Sequence, residues 1–468
     1  MRGPFAAFAA RNFQLLWGGT LFSTTAFMTS FLLVPIVAYE ITGSYTASGL
    51  ALMGSGFSML VLGPIGGVIA DRYAKKPLVL LGQIIPAVLM LGTGVLVVTD
   101  VITLWMLFLS SLLMGVGFAL MGPARQAWMG ELIPRPLMGS GVGLMQVSQN
   151  LALVLGPMLG SVLLIAFAFG SGQIYFLIAG CLLVALPLTT MLPDAAAVSA
   201  TARRSVVREL GSGFRYMWSS PRLRMLWAFW MVISICRFAS QTLLPGFIER
   251  NFGVPASDTF LLYLVVGVVA LVANVPLARM ISGRLAWQLL SGFGAMTAMV
   301  FVLGALTPTF LALMLVAILV GLATTGVMLV NQALIMSNSR PEYFGRVMSF
   351  VVLGFAAQSL LAPIWGVSAD AIGDRETLVI VGMIVLSATA MLLLGWLRTR
   401  RLPLEPGTPA ALAAAGPVSE PASANGVTAE PQQPSPQSSP HPVFAARLAP
   451  IVRSGSQKPH RATTASGT

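Results

Sequence analysis

The sequence predicts an all-α membrane protein with twelve transmembrane helices in two pseudo-symmetric six-helix bundles. Three observations support this fold class: the composition, the number of long apolar segments, and an internal repeat. Of the 468 residues, 56% are hydrophobic and only 9% are charged, and the mean hydropathy is +0.85. Soluble domains carry about 25% charged residues, so the composition excludes a soluble globular protein.

Apolar segments follow one another along the whole chain. A helix of about 20 residues, rising roughly 1.5 Å per residue, crosses a hydrocarbon core of about 30 Å. Twelve such segments begin near Leu15, Leu50, Leu78, Leu104, Val142, Ile174, Leu226, Phe260, Trp287, Phe310, Val347 and Leu378.

The chain repeats itself at an offset of 206 residues. The repeated positions pair the fourth span with the tenth and the fifth with the eleventh, as expected for two parallel halves around an axis normal to the membrane. Gly115, Gln126, Gly139, Pro157 and Gly160 reappear as Gly321, Gln332, Gly345, Pro363 and Gly366.

This pattern divides the chain into four predicted parts. Residues 1–192 form the N-terminal six-helix bundle and residues 226–398 the C-terminal one. Residues 193–225 form a cytoplasmic linker, in which 205–219 has the apolar spacing and arginines of an amphipathic helix on the membrane surface. Residues 399–468, rich in Pro, Ala, Ser and Gln, are predicted to be a disordered cytoplasmic tail.

The distribution of basic residues predicts the orientation in the membrane. If both termini are cytoplasmic, 24 of the 27 lysines and arginines lie on the cytoplasmic side, as the positive-inside rule requires. Only Arg250 and Arg375 fall outside, and Arg237 lies within a span. We therefore expect a multi-pass protein of the cell inner (plasma) membrane. Because placement explains the net charge of +12, nucleic acid is not an expected partner.

Several kinds of site are not predicted. Cys181 and Cys236 both fall inside apolar spans, and His441 and His460 lie in the tail, so neither a disulfide framework nor a metal site is expected. No nucleotide-binding loop occurs and no convergent catalytic groups are visible. We expect no cofactor and no enzymatic activity.

The hairpin between the second and third spans carries a charged motif. Gly67 is followed by Asp71 and Arg72, and then by Lys75 and Lys76. This motif resembles the signature loop between helices 2 and 3 of the major facilitator superfamily, the secondary transporters built as two six-helix halves. Ala74 stands where that family generally has a second glycine.

A second stretch narrows the resemblance. Pro-Ala-Arg-Gln-Ala around Arg125, followed by Glu-Leu-Ile-Pro-Arg from Glu131, is similar to the enterobactin-exporter and macrolide-efflux branch. By that resemblance, Asp71 and Arg72 with Arg125 and Glu131 would form a cytoplasmic latch that holds the halves together when the protein faces outward. The alternative is that these residues only mark the positive-inside rim.

The fifth span resembles the Gly-Pro motif of the antiporter branches through Gly156, Pro157 and Gly160, with Ala152 and Ser161 at the outer positions. Small residues at this spacing let helices approach closely, and Pro157 removes a backbone hydrogen bond. We expect a bend that closes one face of the cavity and favours export. Simple tight packing is the alternative.

Arg237 is the most informative single residue. It lies near the middle of the seventh span, where a charge costs at least about 2.5 to 3.5 kcal/mol, and Ser234 and Gln241 share its helix face. We expect it to face substrate; a structural arginine that bonds to helix carbonyls or reaches a rim is the alternative. No acidic residue lies inside a span, so an anionic cargo is favoured over a cationic one. Protons stay open as a coupling ion, although no buried acid supports them.

Other polar residues within the spans are candidates for the same substrate cavity, with helix bridging as the alternative for each. They are Thr25, Gln146, Asn150, Asn331 and Gln358.

Together these observations predict a monomeric secondary transporter. Its cargo is expected to be an amphipathic organic compound, anionic or zwitterionic and siderophore-like, exported by alternating access. Multidrug efflux of neutral or cationic lipophiles such as macrolides, and lipid or lysophospholipid translocation, are the alternatives.

Overall fold

The computed structural model of the chain describes residues 5–167, 170–194, 206–281, 283–343, 347, 350, 354, 356–400 and 408–411. These residues form helices and turns, with no strand among them. The first half contains six long helices: α1 (Arg11–Thr42), α2 (Tyr45–Arg72), α3 (Lys75–Val98), α4 (Leu104–Leu132), α5 (Met138–Phe167) and α6 (Ser171–Thr190).

A shorter helix, α7 (Val206–Ser219), covers the stretch predicted to be the amphipathic linker helix. The described helices of the second half follow it: α8 (Pro221–Phe252), α9 (Thr259–Met280), α10 (Gly283–Leu306), α11 (Phe310–Asn338), α12 (Ala362–Ile372) and α13 (Asp374–Thr399).

Among the described residues, eleven helices are long and apolar enough to cross a membrane. The twelfth predicted span begins near Val347, where much of 344–355 lies outside the described residues, while 356–360 and α12 in the same span are helical. The all-helical membrane fold is therefore confirmed. Most of the predicted tail, 399–468, and linker residues 195–205 lie outside the described residues.

The repeat is visible in the first helix of each half. Helices α1 and α8 each have 32 residues and carry one internal proline, Pro35 or Pro245. Each ends at a glycine in the left-handed conformation, Gly43 with φ 64° and Gly253 with φ 65°, which is the usual way to terminate a helix. These features align α1 with α8 at an offset of 210 residues rather than 206.

Packing within each half follows the same repeat. Helix α2 packs on α4 and α3 on α6 in the first half, as α9 packs on α11 and α10 on α13 in the second. A Cβ added at Gly115 of α4 would lie 3.0 Å from the Ser55 Cα of α2. A Cβ at its repeat partner Gly321 would lie 2.8 Å from the Val266 carbonyl oxygen of α9. Glycine thus permits the same close helix pair twice.

The halves meet through two related helix pairs, α2 with α12 and α5 with α9, and through α1 with α8. The α2 contact is backbone to backbone, because a Cβ at Gly49 would lie 2.7 Å from the Pro363 Cα, and one at Gly366 would lie 2.6 Å from the Tyr45 carbonyl carbon. In the second pair, α5 with α9, a Cβ at Gly160 would overlap with the Phe260 ring. Apolar side chains of both halves form one continuous buried cluster.

We predict that Gly366→Ala lowers the thermal stability of the protein in detergent. The added Cβ would force α2 and α12 apart, and overpacking of this kind costs about 1–3 kcal/mol. The control is Gly92→Ala on α3, where an added Cβ meets no atom within 4 Å. Alanine is the better helix former by roughly 0.5–1 kcal/mol, so the control should be neutral or stabilising. Equal unfolding temperatures for the two variants would contradict the close approach.

Candidate functional site

One end of the molecule carries a polar network between the halves. We call it the Asp370 end: α1, α8 and α12 end there, and α2 and α13 begin there. The Asp370 carboxylate accepts hydrogen bonds from Ser44 Oγ at 2.7 Å, from the Thr46 amide at 2.8 Å and from the Tyr45 amide at 3.2 Å. Ser44 is the N-cap of α2. An acid of the second half therefore caps a helix of the first, where the helix dipole favours negative charge.

Arg250 forms the second part of this network. It is at the end of α8, and it donates from Nε to Tyr39 Oη at 2.7 Å and from Nη2 to the Gly43 carbonyl at 2.5 Å. Its guanidinium carbon lies 4.5 Å from the centre of the Tyr45 ring, a cation–π distance. The end of α1 and the start of α2 are thus both bound by one side chain of α8.

Asp374 completes the network, which consists of Tyr39, Ser44, Tyr45, Arg250, Asn251, Asp370, Asp374 and Arg375. The Asp374 carboxylate accepts from Tyr45 Oη at 2.6 Å and from Asn251 Nδ2 at 3.0 Å. Arg375 Nε donates to Asn251 Oδ1 at 2.9 Å. Sequence reasoning missed this network, although Arg250 and Arg375 had stood out as the exceptions to the positive-inside pattern.

The predicted latch residues lie at the opposite end, which we call the basic end. Lys75 Nζ lies 2.8 Å from Glu131 Oε1, and Lys76 Nζ lies 3.1 Å from Asp194 Oδ1. Buried Arg125 donates to the Gly19 carbonyl at 3.1 Å and to Ser23 Oγ at 2.7 Å, both on α1.

These latch contacts join residues of the first half to one another or, for Lys76, to Asp194 at the start of the linker. The side chains of Asp71 and Arg72 and the surroundings of Gly67 lie outside the described residues, so a latch between the halves stays a prediction. Ala74 adopts φ −59°, a conformation open to any residue, and the short turn therefore does not need the glycine that the family generally has.

Helix α5 is continuous through the predicted bend. A Cβ at Gly156 would lie 3.2 Å from the Thr29 amide nitrogen of α1, and Gly160 makes room for Phe260 of α9. Pro157 lies between these two close approaches, and its carbonyl accepts a hydrogen bond from Ser161 Oγ at 2.9 Å. The small residues therefore serve packing on both faces of α5, and the bend stays a prediction.

Arg237 lies at the middle of α8 and is half-buried. The one hydrogen bond of its side chain to a described residue runs from Nη2 to Gln358 Oε1 at 3.4 Å. The side chain lines a cavity of about 80 Å³ within the second half, bounded by α8, α9, α10, α11 and α13. The structure thus brings two predicted site residues together, and no ion pair with a carboxylate is found for Arg237 in the described part of the chain.

The other predicted cavity residues differ in exposure. Gln146 is exposed and Asn150 half-buried, and the two contact each other on α5 through Nε2 and Oδ1 at 3.4 Å. In the described part of the chain, no hydrogen bond joins this α5 pair to Arg237. Buried polar atoms without a hydrogen-bond partner among the described residues are Thr25 Oγ1, Ser234 Oγ, Gln241 Oε1 and Asn331 Oδ1.

Such atoms are uncommon in proteins and call for a ligand, a water molecule or a conformational change. They are not confined to the predicted site, because Gln83 Oε1, Ser148 Oγ and Tyr175 Oη share the property. The four predicted residues therefore stay candidates, and the cavity beside Arg237 is the better-defined site.

Solved transporters have the same fold. The nucleoside transporter NupG superposes with a TM-score of 0.65 at 12% identity, over 82% of this chain and 99% of NupG. A bacterial homolog to the human lysosomal transporter Spinster, in an inward-facing and unoccupied conformation, gives a TM-score of 0.63 at 16% identity, over 82% of this chain and 97% of that one. At such identities the likeness concerns the fold alone.

Curated relatives share part of the sequence. The multidrug resistance protein MdtH of Proteus mirabilis (strain HI4320) is 25% identical over 297 residues, 63% of this chain and 70% of MdtH. The multi-drug resistance efflux pump PmrA of Streptococcus pneumoniae serotype 4 is 28% identical over 182 residues, 38% of this chain and 44% of PmrA. The uncharacterized MFS-type transporter YfiS of Bacillus subtilis (strain 168) is 25% identical over 181 residues, 38% of this chain and 41% of YfiS. The chain thus spans less than half the length of PmrA and YfiS.

The sequence model of the Major Facilitator Superfamily matches residues 16–357, which is well over half of the chain. The motif around Asp71 and the paired six-helix repeat predicted this family. The chain therefore belongs to the Major Facilitator Superfamily, a family of membrane transporters rather than enzymes.

Proposed function

We propose that this chain exports an amphipathic organic anion or zwitterion, siderophore-like in its chemistry, across the inner membrane by alternating access. The observation that carries the proposal is the guanidinium of Arg237 in the middle of a membrane-spanning helix, half-buried beside a cavity. The resemblance of the first half of the chain to the enterobactin-exporter branch, through the motifs around Arg125 and Glu131, supports the same class of cargo.

Energetics favour an anionic partner for Arg237. A charge at this depth costs at least about 2.5 to 3.5 kcal/mol, and a single contact of 3.4 Å to an amide oxygen offsets little of that. A carboxylate, phenolate or phosphate bound by the guanidinium would form charge-assisted hydrogen bonds, which are worth about 1.5–3 kcal/mol each. A cationic drug would instead meet electrostatic repulsion at this position.

The arrangement of the halves supports alternating access. At the Asp370 end they are joined by the polar network and by the glycine contacts of α2 and α12. We assign the Asp370 end to the outer face, with both termini cytoplasmic, because the basic loops lie at the opposite end. This conformation then has its outer side closed, and transport requires the Asp370 network to open.

The second candidate is multidrug efflux of neutral or cationic lipophiles, such as macrolides. It is favoured by the relatives MdtH and PmrA, whose names describe multidrug resistance. Translocation of a lipid or lysophospholipid is a third possibility with the same fold. These alternatives do not need a positive charge at position 237, so one substitution separates them from the first proposal.

We predict that Arg237→Gln reduces counterflow of organic anions in proteoliposomes at least about tenfold, because the lost charge-assisted hydrogen bonds are worth about 1.5–3 kcal/mol. Transport would be measured with a panel of anionic, neutral and cationic amphiphiles, with and without a pH gradient. The matched control is Arg398→Gln, at an exposed arginine in the last turn of α13, which should transport as the parent protein does.

The competing proposals give opposite results in this assay. Unchanged anion transport by Arg237→Gln would remove the anion proposal. Equal or faster transport of cationic compounds by the same variant would favour multidrug efflux. Flipping of labelled lipid without any soluble cargo would favour lipid translocation.

A second prediction concerns the Asp370 network. Asp370→Ala removes the acceptor for Ser44 and for two amides of α2. Losing a helix cap costs about 0.5–2 kcal/mol, and Asp370 is exposed to solvent, so we expect about 1 kcal/mol. The population with the Asp370 end open should rise about fivefold, since RT is about 0.6 kcal/mol.

Spin labels at exposed Val101 and Leu306, one in each half and both near the Asp370 end, would report this change as a longer distance. The buried Cys181 and Cys236 would first be replaced by alanine. Glu342→Ala, at an exposed acid near the basic end, is the control and should leave the distance distribution unchanged. An identical distribution in Asp370→Ala would show that glycine packing alone closes this end.

A further inference from the structure

The cavity beside Arg237 lies inside the second half. Its walls come from the C-terminal parts of α8 and α10 and the N-terminal parts of α9, α11 and α13, so it extends from the helix centres towards the Asp370 end. Most of the lining is apolar, including Leu243, Val320 and Phe301. Arg237 and Thr324 are its polar residues nearest the middle of their helices.

The repeat shows which residues fill the equivalent place in the first half. When α1 is aligned with α8 through their internal prolines and terminal glycines, Phe27 is the residue equivalent to Arg237. When α4 is aligned with α11 through Gly115 and Gly321, Phe118 is the residue equivalent to Thr324.

Phe27 and Phe118 contact each other in the first half. Their rings are stacked, with centroids 4.0 Å apart and an interplanar angle of 16°. Both rings also line a small cavity of about 10 Å³, which extends from the pair towards the basic end, past Ser23 and Met121. In the second half the stacked pair is thus replaced by a guanidinium and a hydroxyl, and a cavity of about 80 Å³ begins beside these two side chains.

We propose that this second-half cavity binds a small apolar carboxylate, either a free short-chain acid or the carboxylate end of a larger cargo. The inference rests on the proposed transport of an organic anion and assigns where its acidic group binds. That place is inside the helix bundle of the second half, rather than between the two halves.

The donors of the cavity point to an anion. The hydroxyls of Thr297 and Thr324 donate to carbonyls of their own helices, at 2.8 and 2.7 Å, and Ser240 does the same at 2.8 Å. The guanidinium of Arg237 therefore supplies the free N–H groups, and its planar fork can bind both oxygens of a carboxylate.

The volume limits the apolar part of the ligand. A cavity of about 150 Å³ accommodates benzene, and this one has about 80 Å³. By that comparison roughly three to four carbon atoms fit beside the guanidinium. A longer chain would have to extend out of the cavity.

Binding can be tested with butyrate as the probe, by saturation-transfer difference NMR on the full chain in detergent. Butyrate should give a signal, whereas butyramide and butylamine, of similar size without the negative charge, should give a signal at least fivefold weaker. Arg237→Gln and Thr324→Phe should each reduce the butyrate signal at least fivefold. The first removes the charge, and the second introduces into the cavity the aromatic ring that is present at the equivalent position of the first half.

Matched controls keep the test independent of folding. Met328→Phe introduces the same ring on an exposed position of α11 and should bind butyrate like the parent. Thermal unfolding of each variant checks that the fold is retained. Competition by octanoate identifies the source of the carboxylate: displacement of butyrate indicates the end of a longer cargo, and no displacement indicates a free short acid.

The outcomes separate this inference from the proposed function. Butyrate binding that Thr324→Phe leaves unchanged, or butyramide binding as well as butyrate, would overturn the cavity site. If Arg237→Gln abolishes anion transport while Thr324→Phe alters neither transport nor butyrate binding, the proposed function stands and this site does not. If butyrate binding behaves as expected while Arg237→Gln transports anions normally, the site stands and the proposed function does not.

Discussion

The free-energy cost of placing a charge in hydrocarbon determines where the charged residues of this protein lie. A charged side chain at the centre of a membrane-spanning helix costs at least about 2.5 to 3.5 kcal/mol. Acidic residues in the described part of the chain accordingly lie near helix ends, as Glu40 does in α1, Glu131 in α4 and Asp370 in α12. Charges concentrated at the two ends can form networks there, and the interior holds glycines, hydroxyls, a few side-chain amides and mostly apolar side chains. Among the described residues, Arg237 is the exception, a charge at the centre of a span.

The two halves share one packing scheme and differ in how they fill it. The close helix pairs at Gly115 and Gly321 are equivalent, as are the contacts of α5 with α9 and of α12 with α2. Equivalent backbones with different side chains allow the second half to hold a cavity of about 80 Å³ beside Arg237. The stacked pair Phe27 and Phe118 occupies the equivalent helix positions of the first half.

Much of the fold could be predicted because its causes are local or periodic. Apolar length gives the spans, Gly43 and Gly253 end their helices by left-handed backbone conformation, and the repeat gives the pairing of the halves. The family was predicted for a similar reason, since the motif around Asp71 is a continuous stretch. The sequence also singled out Arg237 from its depth alone.

The Asp370 network could not be predicted in the same way. Asp370 and Ser44 are 326 positions apart, and Arg250 and Tyr39 are 211 apart, so no spacing rule connects them. Which helices surround Arg237 was equally inaccessible, because a polar helix face shared with Ser234 and Gln241 could meet either the space between the halves or the interior of the second half. The cavity depends on what α9, α10, α11 and α13 leave unfilled, and that is a property of packing in three dimensions.

The cap on α2 and the neighbouring Arg250 contacts are also sensitive to dissolved ions. Asp370 and Arg250 are both exposed to solvent, so dissolved ions screen their attraction to the helix end and to the tyrosine rings, over a Debye length of about 8 Å at physiological ionic strength. The glycine contacts beneath them are insensitive to such ions. Under the proposed alternating access, the balance between closed and open forms would therefore respond to the salinity of the compartment that the Asp370 end faces.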